Sequence, residues 1–70
     1  MAEIKYNNRL RVVLAEQQKT NRWLSGELGV AELTVSRWCT NKTQPSMSQF
    51  LQIAKLLDVD IKDLIEEYNQ

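Results

Sequence analysis

The segment from Thr20 to Trp38, TNRWLSGELGVAELTVSRW, constrains this chain more than any other stretch. It reads as two short helices joined by a tight turn at Gly29. Leu24 and Leu28 stand four residues apart and share one helical face. Gly29 ends that helix, because glycine takes up without penalty the left-handed conformation common just past a helix. Val30 packs into the turn. The next helix is predicted to cover about 31–39. In it Val35 and Trp38 lie three apart and point inward. At 100° per residue, Leu33 and Arg37 fall nearly opposite them. A short helix propped on another, with its free face outward, has the geometry to enter the DNA major groove.

The rest of the chain reads as helical too. Asn7 or Asn8 is a good cap for a first helix through RLRVVLAEQQ, with Leu10, Val13 and Leu14 at core spacing. Thr20 caps the second helix. Asn41 is a left-handed stop after the third. Ser46 and Gln49 form a capping-box pattern, SMSQ, ahead of an apolar stripe of Phe50, Leu51, Ile53, Ala54 and Leu57. Asp60 with Asp63 opens a final helix carrying Ile61, Leu64 and Ile65. No stretch alternates strictly with β-branched enrichment, so no strand is expected. The fold class expected is all-α, a compact five-helix bundle. Seventy residues form a single domain, 1–70, with an ordered core of about 8–66. A chain of this length buries only roughly 60% of its unfolded surface, so its core has to be efficient.

Several function classes are disfavoured by what the chain contains. There is no histidine, and the lone Cys39 has no partner for a disulfide, a metal site or a nucleophile–base pair. No Gly-rich phosphate loop is present. Neither catalysis, a cofactor nor a metal is expected. No apolar run approaches ~18 residues, and the N-terminus has no apolar signal region. A cytoplasmic protein is expected. The net charge is zero, yet the charge is polarised: residues 1–45 hold seven Lys/Arg against four Asp/Glu, and residues 46–70 hold two against five. Phosphate attraction needs a local field, not a positive total.

LGV, TVSRW, the Lys42 loop, Pro45-Ser46 and IAKLLDVDIKDLI stand in the order and spacing of a known family. Over residues 8–66 the chain resembles the Cro/repressor-type (XRE, phage-repressor-like) helix-turn-helix regulators. The resemblance implies a five-helix domain whose third helix reads base edges. It also implies a homodimer on a palindromic double-stranded DNA operator, hence a transcriptional regulator. Three other roles stay open: the DNA-binding partner of a toxin, the controller of a restriction system, and a protein-interaction module that reuses the fold. The chain departs from the family in having Ala31 where a capping Ser or Thr is usual. Asn41 replaces a Gly, Cys39 a frequent Glu, and Leu33 is an unusual apolar residue.

The candidate base-reading residues are Glu32, Leu33, Thr34, Ser36 and Arg37. Arg37 suits a bidentate contact to guanine O6 and N7, or equally a phosphate contact. Ser36 would bond a base or a phosphate, and Thr34 the backbone or a thymine methyl. Leu33 would touch a thymine methyl or a protein. Glu32 would accept from cytosine N4, or simply complement the helix dipole. The candidate phosphate-binding residues are Asn21 and Arg22 in the first turn of the second helix, with Lys42 and Thr43 in the loop after the third. Trp38 is expected in the core and Trp23 at its edge. Tyr6 and Tyr68 are open between packing and dimer contacts, with the apolar remainder of the final helix as a dimer surface.

Overall fold

The structure, a computed structural model, describes residues 4–69, with side chains described for residues 7–66. The order of elements is β1 (Ile4–Asn8), α1 (Leu10–Glu16), α2 (Asn21–Leu28), α3 (Glu32–Cys39), α4 (Met47–Leu57), a single 3-10 turn (Ile61–Asp63) and β2 (Ile65–Asn69). The helical class is as expected, with four α-helices among the described residues.

Three of the four helices start on a side chain that accepts from a first-turn amide. The Asn8 carboxamide oxygen accepts from the Leu10 N–H at 3.0 Å and so satisfies one free amide at the start of α1, whose N-cap position is Arg9. Thr20 Oγ1 accepts from the Trp23 N–H at 3.0 Å at the head of α2. Ser46 and Gln49 form the full capping box: Ser46 N–H donates to Gln49 Oε1 at 2.8 Å, and Gln49 N–H donates to Ser46 Oγ at 3.1 Å. Gly29 ends α2 at φ +71, and its N–H returns to the Ser25 carbonyl. Three other residues sit in the left-handed region without being glycine: Gln18, Asn41 and Asp58. The first helix therefore stops at Glu16, earlier than the apolar pattern implies.

One core runs through all the helices. Leu10, Val13 and Leu14 from α1 meet Leu24 from α2, Val35 and Trp38 from α3, and Phe50, Ile53, Ala54 and Leu57 from α4. Each such fully buried Leu, Val, Ile or Phe side chain contributes about 1.5–3 kcal/mol. Leu51 does not join them and is 53% exposed. It lies 100° around the helix from Phe50, whereas Ile53, Ala54 and Leu57 fall within about 60° of it. Trp23 packs at the core edge, with Lys19 Nζ 4.8 Å from its ring centre.

The largest correction concerns the two ends of the chain. The expected final helix lasts one 3-10 turn, and the chain then extends as β2. β2 pairs antiparallel with β1, from Ile4 opposite Asn69 to Asn8 opposite Ile65. The Arg9 N–H donates to the Leu64 carbonyl at 2.7 Å and closes the ribbon onto the body. A helix over these residues would set Glu66 and Glu67 at its negative end, an unfavourable placement for two carboxylates. Leu64 is fully buried, so the chain remains anchored where the expected helix would have anchored it. The expected dimer surface on that helix is absent in that form. The side chains of Tyr6 and Tyr68 lie outside the described residues.

Candidate nucleic-acid interface

Helix α3 has a buried back and an exposed crest. Val35 is fully buried and Trp38 is 3% exposed, which fixes the helix rotationally. Glu32, Leu33 and Arg37 consequently lie on the outside, with Leu33 60% exposed. Thr34 and Ser36 are half-buried on the two flanks. The predicted base-reading set is thus one crest of three residues and two shoulders.

Ala31 stands at the N-cap of α3 with φ −69 and ψ 146, a capping conformation without a capping side chain. Its backbone carbonyl accepts from the N–H groups of Thr34 and Val35 at 3.0 and 3.4 Å. The helix therefore starts correctly, but no side chain satisfies its first amides.

On one side of the crest lies a cleft of about 280 Å³ between α1, the head of α2 and α3. Arg11, Lys19, Thr20, Asn21, Ser36 and Thr40 line it. Asn21 and Ser36, expected to serve phosphates and bases separately, are brought together here. Asn21 is also held from behind, because the Cys39 thiol donates to its Oδ1 at 3.5 Å. Burial pushes the Cys39 thiol above its usual pKa, and the nearby Arg11 guanidinium opposes that rise. A protonated, half-buried thiol is a poor nucleophile, in keeping with a packing role.

Arg11 and Lys19 were not among the sequence candidates. Arg11 and Ala15 share an exposed face of α1 at a spacing of four, and a helical wheel of that element alone says only that this face is outside, not what it faces. Facing α2 and α3 is a tertiary fact that no local spacing encodes. Arg22 is exposed in the first turn of α2, on the other side of Asn21.

Lys42 and Thr43 are exposed just past α3. The Lys42 N–H donates to the Arg37 carbonyl at 2.9 Å, and the Asn41 N–H to the Trp38 carbonyl at 3.0 Å. Together with Asn41 at φ +60, this is the Schellman arrangement that ends a helix and turns the chain sharply. The loop therefore leaves from the backbone of Arg37 itself. Among the described residues, no group of three or more His, Cys, Asp or Glu could hold a metal, and no helix is long and apolar enough to cross a membrane.

The family described as the Cro/C1-type HTH DNA-binding domain matches residues 9–69. The crystal structure of a "putative DNA-binding protein" from Bacteroides fragilis superimposes with a TM-score of 0.87 at 52% sequence identity. That match covers 89% of this chain and all of the other. No curated protein matches the chain.

Proposed function

The chain belongs to the Cro/C1-type helix-turn-helix DNA-binding domain family, and from that premise we propose that it is a sequence-specific transcriptional regulator that reads duplex DNA with α3. The observation that carries this reading is the exposed crest of Glu32, Leu33 and Arg37 on a helix whose other face is locked by Val35 and Trp38. A reading helix has to be held rigidly while its free face stays unengaged, and that is the arrangement of α3. The cleft beside it supplies Arg11, Lys19 and Asn21 to one strand of the backbone. The loop after it supplies Lys42 and Thr43. Phosphate contacts of this kind set register, and the crest supplies the sequence information.

One copy of so small a domain covers a single half-site. Two copies on a palindromic operator would hold their reading helices about 34 Å apart, one turn of DNA. The DNA-binding partner of a toxin would use the same surface in the same way, and differs only in what else it meets.

Leu33 supports a second reading. At 60% exposed it is a large apolar side chain at the centre of the crest, and an apolar crest suits a protein partner as well as a thymine methyl. The two readings separate by salt. A phosphate-gripping domain loses affinity steeply as salt rises, about 0.9 in the logarithmic slope per phosphate contacted on B-form DNA. Selection of bound sites from random duplex, followed by titration of the selected site over a range of salt, is the test. The regulator reading expects a motif with two half-sites and a steep salt slope. No duplex binding at ~50 mM salt would overturn it in favour of the protein-interaction module.

A further inference from the structure

The segment that carries Lys42 and Thr43 is fastened to a residue 33 positions away. Asn41 Oδ1 accepts from the Asn8 backbone N–H at 2.8 Å, and Asn41 Nδ2 donates to the Asn8 carbonyl at 3.4 Å. These two bonds copy what a neighbouring strand would offer the end of β1. Asn41 Oδ1 also accepts from Gln44 Nε2 at 2.9 Å, which fills both of its lone pairs. The Asn8 side chain completes the cluster. Its amide nitrogen donates to the Trp38 carbonyl at 2.7 Å and to Gln44 Oε1 at 2.8 Å. Asn8 is 5% exposed; its bond to the Trp38 carbonyl is buried and the others of the cluster are part-buried, and leaving a buried one unmade costs about 1–3 kcal/mol.

A helix stop does not require any of this. Glycine would serve the left-handed backbone of residue 41 with less strain. The asparagine adds side-chain bonds that clamp both ends of a four-residue stretch, 41–44, leaving only Lys42 and Thr43 pointing free. Ordering an exposed residue costs about 1–2 kcal/mol in backbone entropy. A loop ordered before it meets a ligand spares the complex that cost.

We propose that Asn41 is a positioning residue for backbone binding: by pairing with Asn8 and Gln44 it holds Lys42 and Thr43 in place to meet a DNA phosphate beside α3. This rests on the reading that the chain grips duplex DNA there. Asn41 itself touches no phosphate. Its influence passes through Lys42 and Thr43, which distinguishes it from a residue that merely keeps the domain folded.

The test is a cycle of variants on the full chain: Asn41→Gly, Lys42→Ala/Thr43→Ala, and all three together. Each is measured by thermal melting and by titration with the selected duplex and a scrambled duplex across salt. Asn41→Gly keeps the helix stop and relieves its strain but gives up the bonds to Asn8 and Gln44, so it melts below wild type while staying folded at the temperature of the titrations. It weakens both duplexes by the same factor, about five- to tenfold, with a shallower salt slope. Added to Lys42→Ala/Thr43→Ala, it has less than about a twofold effect, because the residues it positions are already gone. If Asn41→Gly does not fold, Gln44→Ala takes its place, with a smaller loss in the same sense. Wild-type affinity for Asn41→Gly, or a full loss that persists without Lys42 and Thr43, overturns this inference and leaves the DNA reading intact. A wild type that binds no duplex at all overturns both.

Discussion

The Cys39 thiol donates to the Asn21 side-chain oxygen at 3.5 Å and so ties the last turn of α3 to the first turn of α2. These are the two ends of the helix-turn-helix farthest from the turn itself. Gly29 joins the helices at one end and this weak bond joins them at the other. The thiol is held protonated, since burial raises its pKa in the fold. An acid whose pKa is raised by folding stabilises the protein fully below the unfolded value of 9.0 and loses that contribution as the pH climbs through the window above it. Cys39→Ser retains a donor but has no such titration. The melting temperature of wild type is therefore expected to fall more between pH 8 and pH 10.5 than that of Cys39→Ser. Parallel curves for the two proteins would show that the thiol ionises alike in the folded and unfolded chains.

Ala31 offers a direct test of local helix chemistry. Its backbone already has the capping conformation, at φ −69 and ψ 146, and only the side-chain acceptor is missing. Ala31→Ser is expected to stabilise the domain by about 1 kcal/mol. For a domain of this size that corresponds to a rise in melting temperature of about 4–8 °C. An unchanged melting curve would mean that the first amides of α3 are already satisfied by another group.

Gln18 holds a conformation that suits glycine. It sits at φ +58, and the Lys19 N–H bonds to the Leu14 carbonyl at 2.8 Å across it. A side chain in the left-handed region costs about 1–2 kcal/mol relative to glycine, part of which glycine returns through its freer unfolded chain. Gln18→Gly should therefore raise stability by about 0.5–1 kcal/mol in urea unfolding. Asn41, at a similar φ, is expected to respond differently. Its side chain is bonded to Asn8, so replacement by glycine removes strain and bonds together. Opposite signs or clearly unequal gains for the two substitutions would separate a bare helix stop from an occupied one.

How far the sequence reaches is clearest from these stops and caps. Thr20, Gly29, Ser46 and Gln49 act within four residues of themselves, and their roles were legible from spacing alone. So was the split between the buried Val35 and Trp38 and the exposed Leu33 and Arg37, because helical geometry sets it. What was not legible depends on residues distant in the chain. β1 and β2 pair across some sixty positions, and neither IKYNN nor IEEYN is a strand without the other. The link from Asn8 to Asn41 spans 33 positions, and the local pattern of Asn8 offers only a helix cap, a position that falls to Arg9 in the fold. Arg11 enters the cleft only because α1 packs beside α2 and α3. Leu51 was misplaced for another reason: its apolar character was counted while its angle around α4 was not.

Arg37 and Arg22 should respond differently to the same truncation. Arg37 stands exposed on the crest of α3, facing away from the buried Val35 and Trp38. Arg22 stands in the first turn of α2, where the free amides of a helix start favour a phosphate. A base contact discriminates between sequences, whereas a phosphate contact does not. Arg37→Ala is expected to cost about 1–3 kcal/mol on the selected site and to relax preference at one base pair. Arg22→Ala is expected to weaken all duplexes alike and to lower the salt slope by about 1. Repeating the site selection with each variant checks both. If Arg37→Ala leaves the motif unchanged and only shallows the salt slope, Arg37 grips the backbone. The sequence is then read by Glu32, Leu33 and the two shoulders, Thr34 and Ser36.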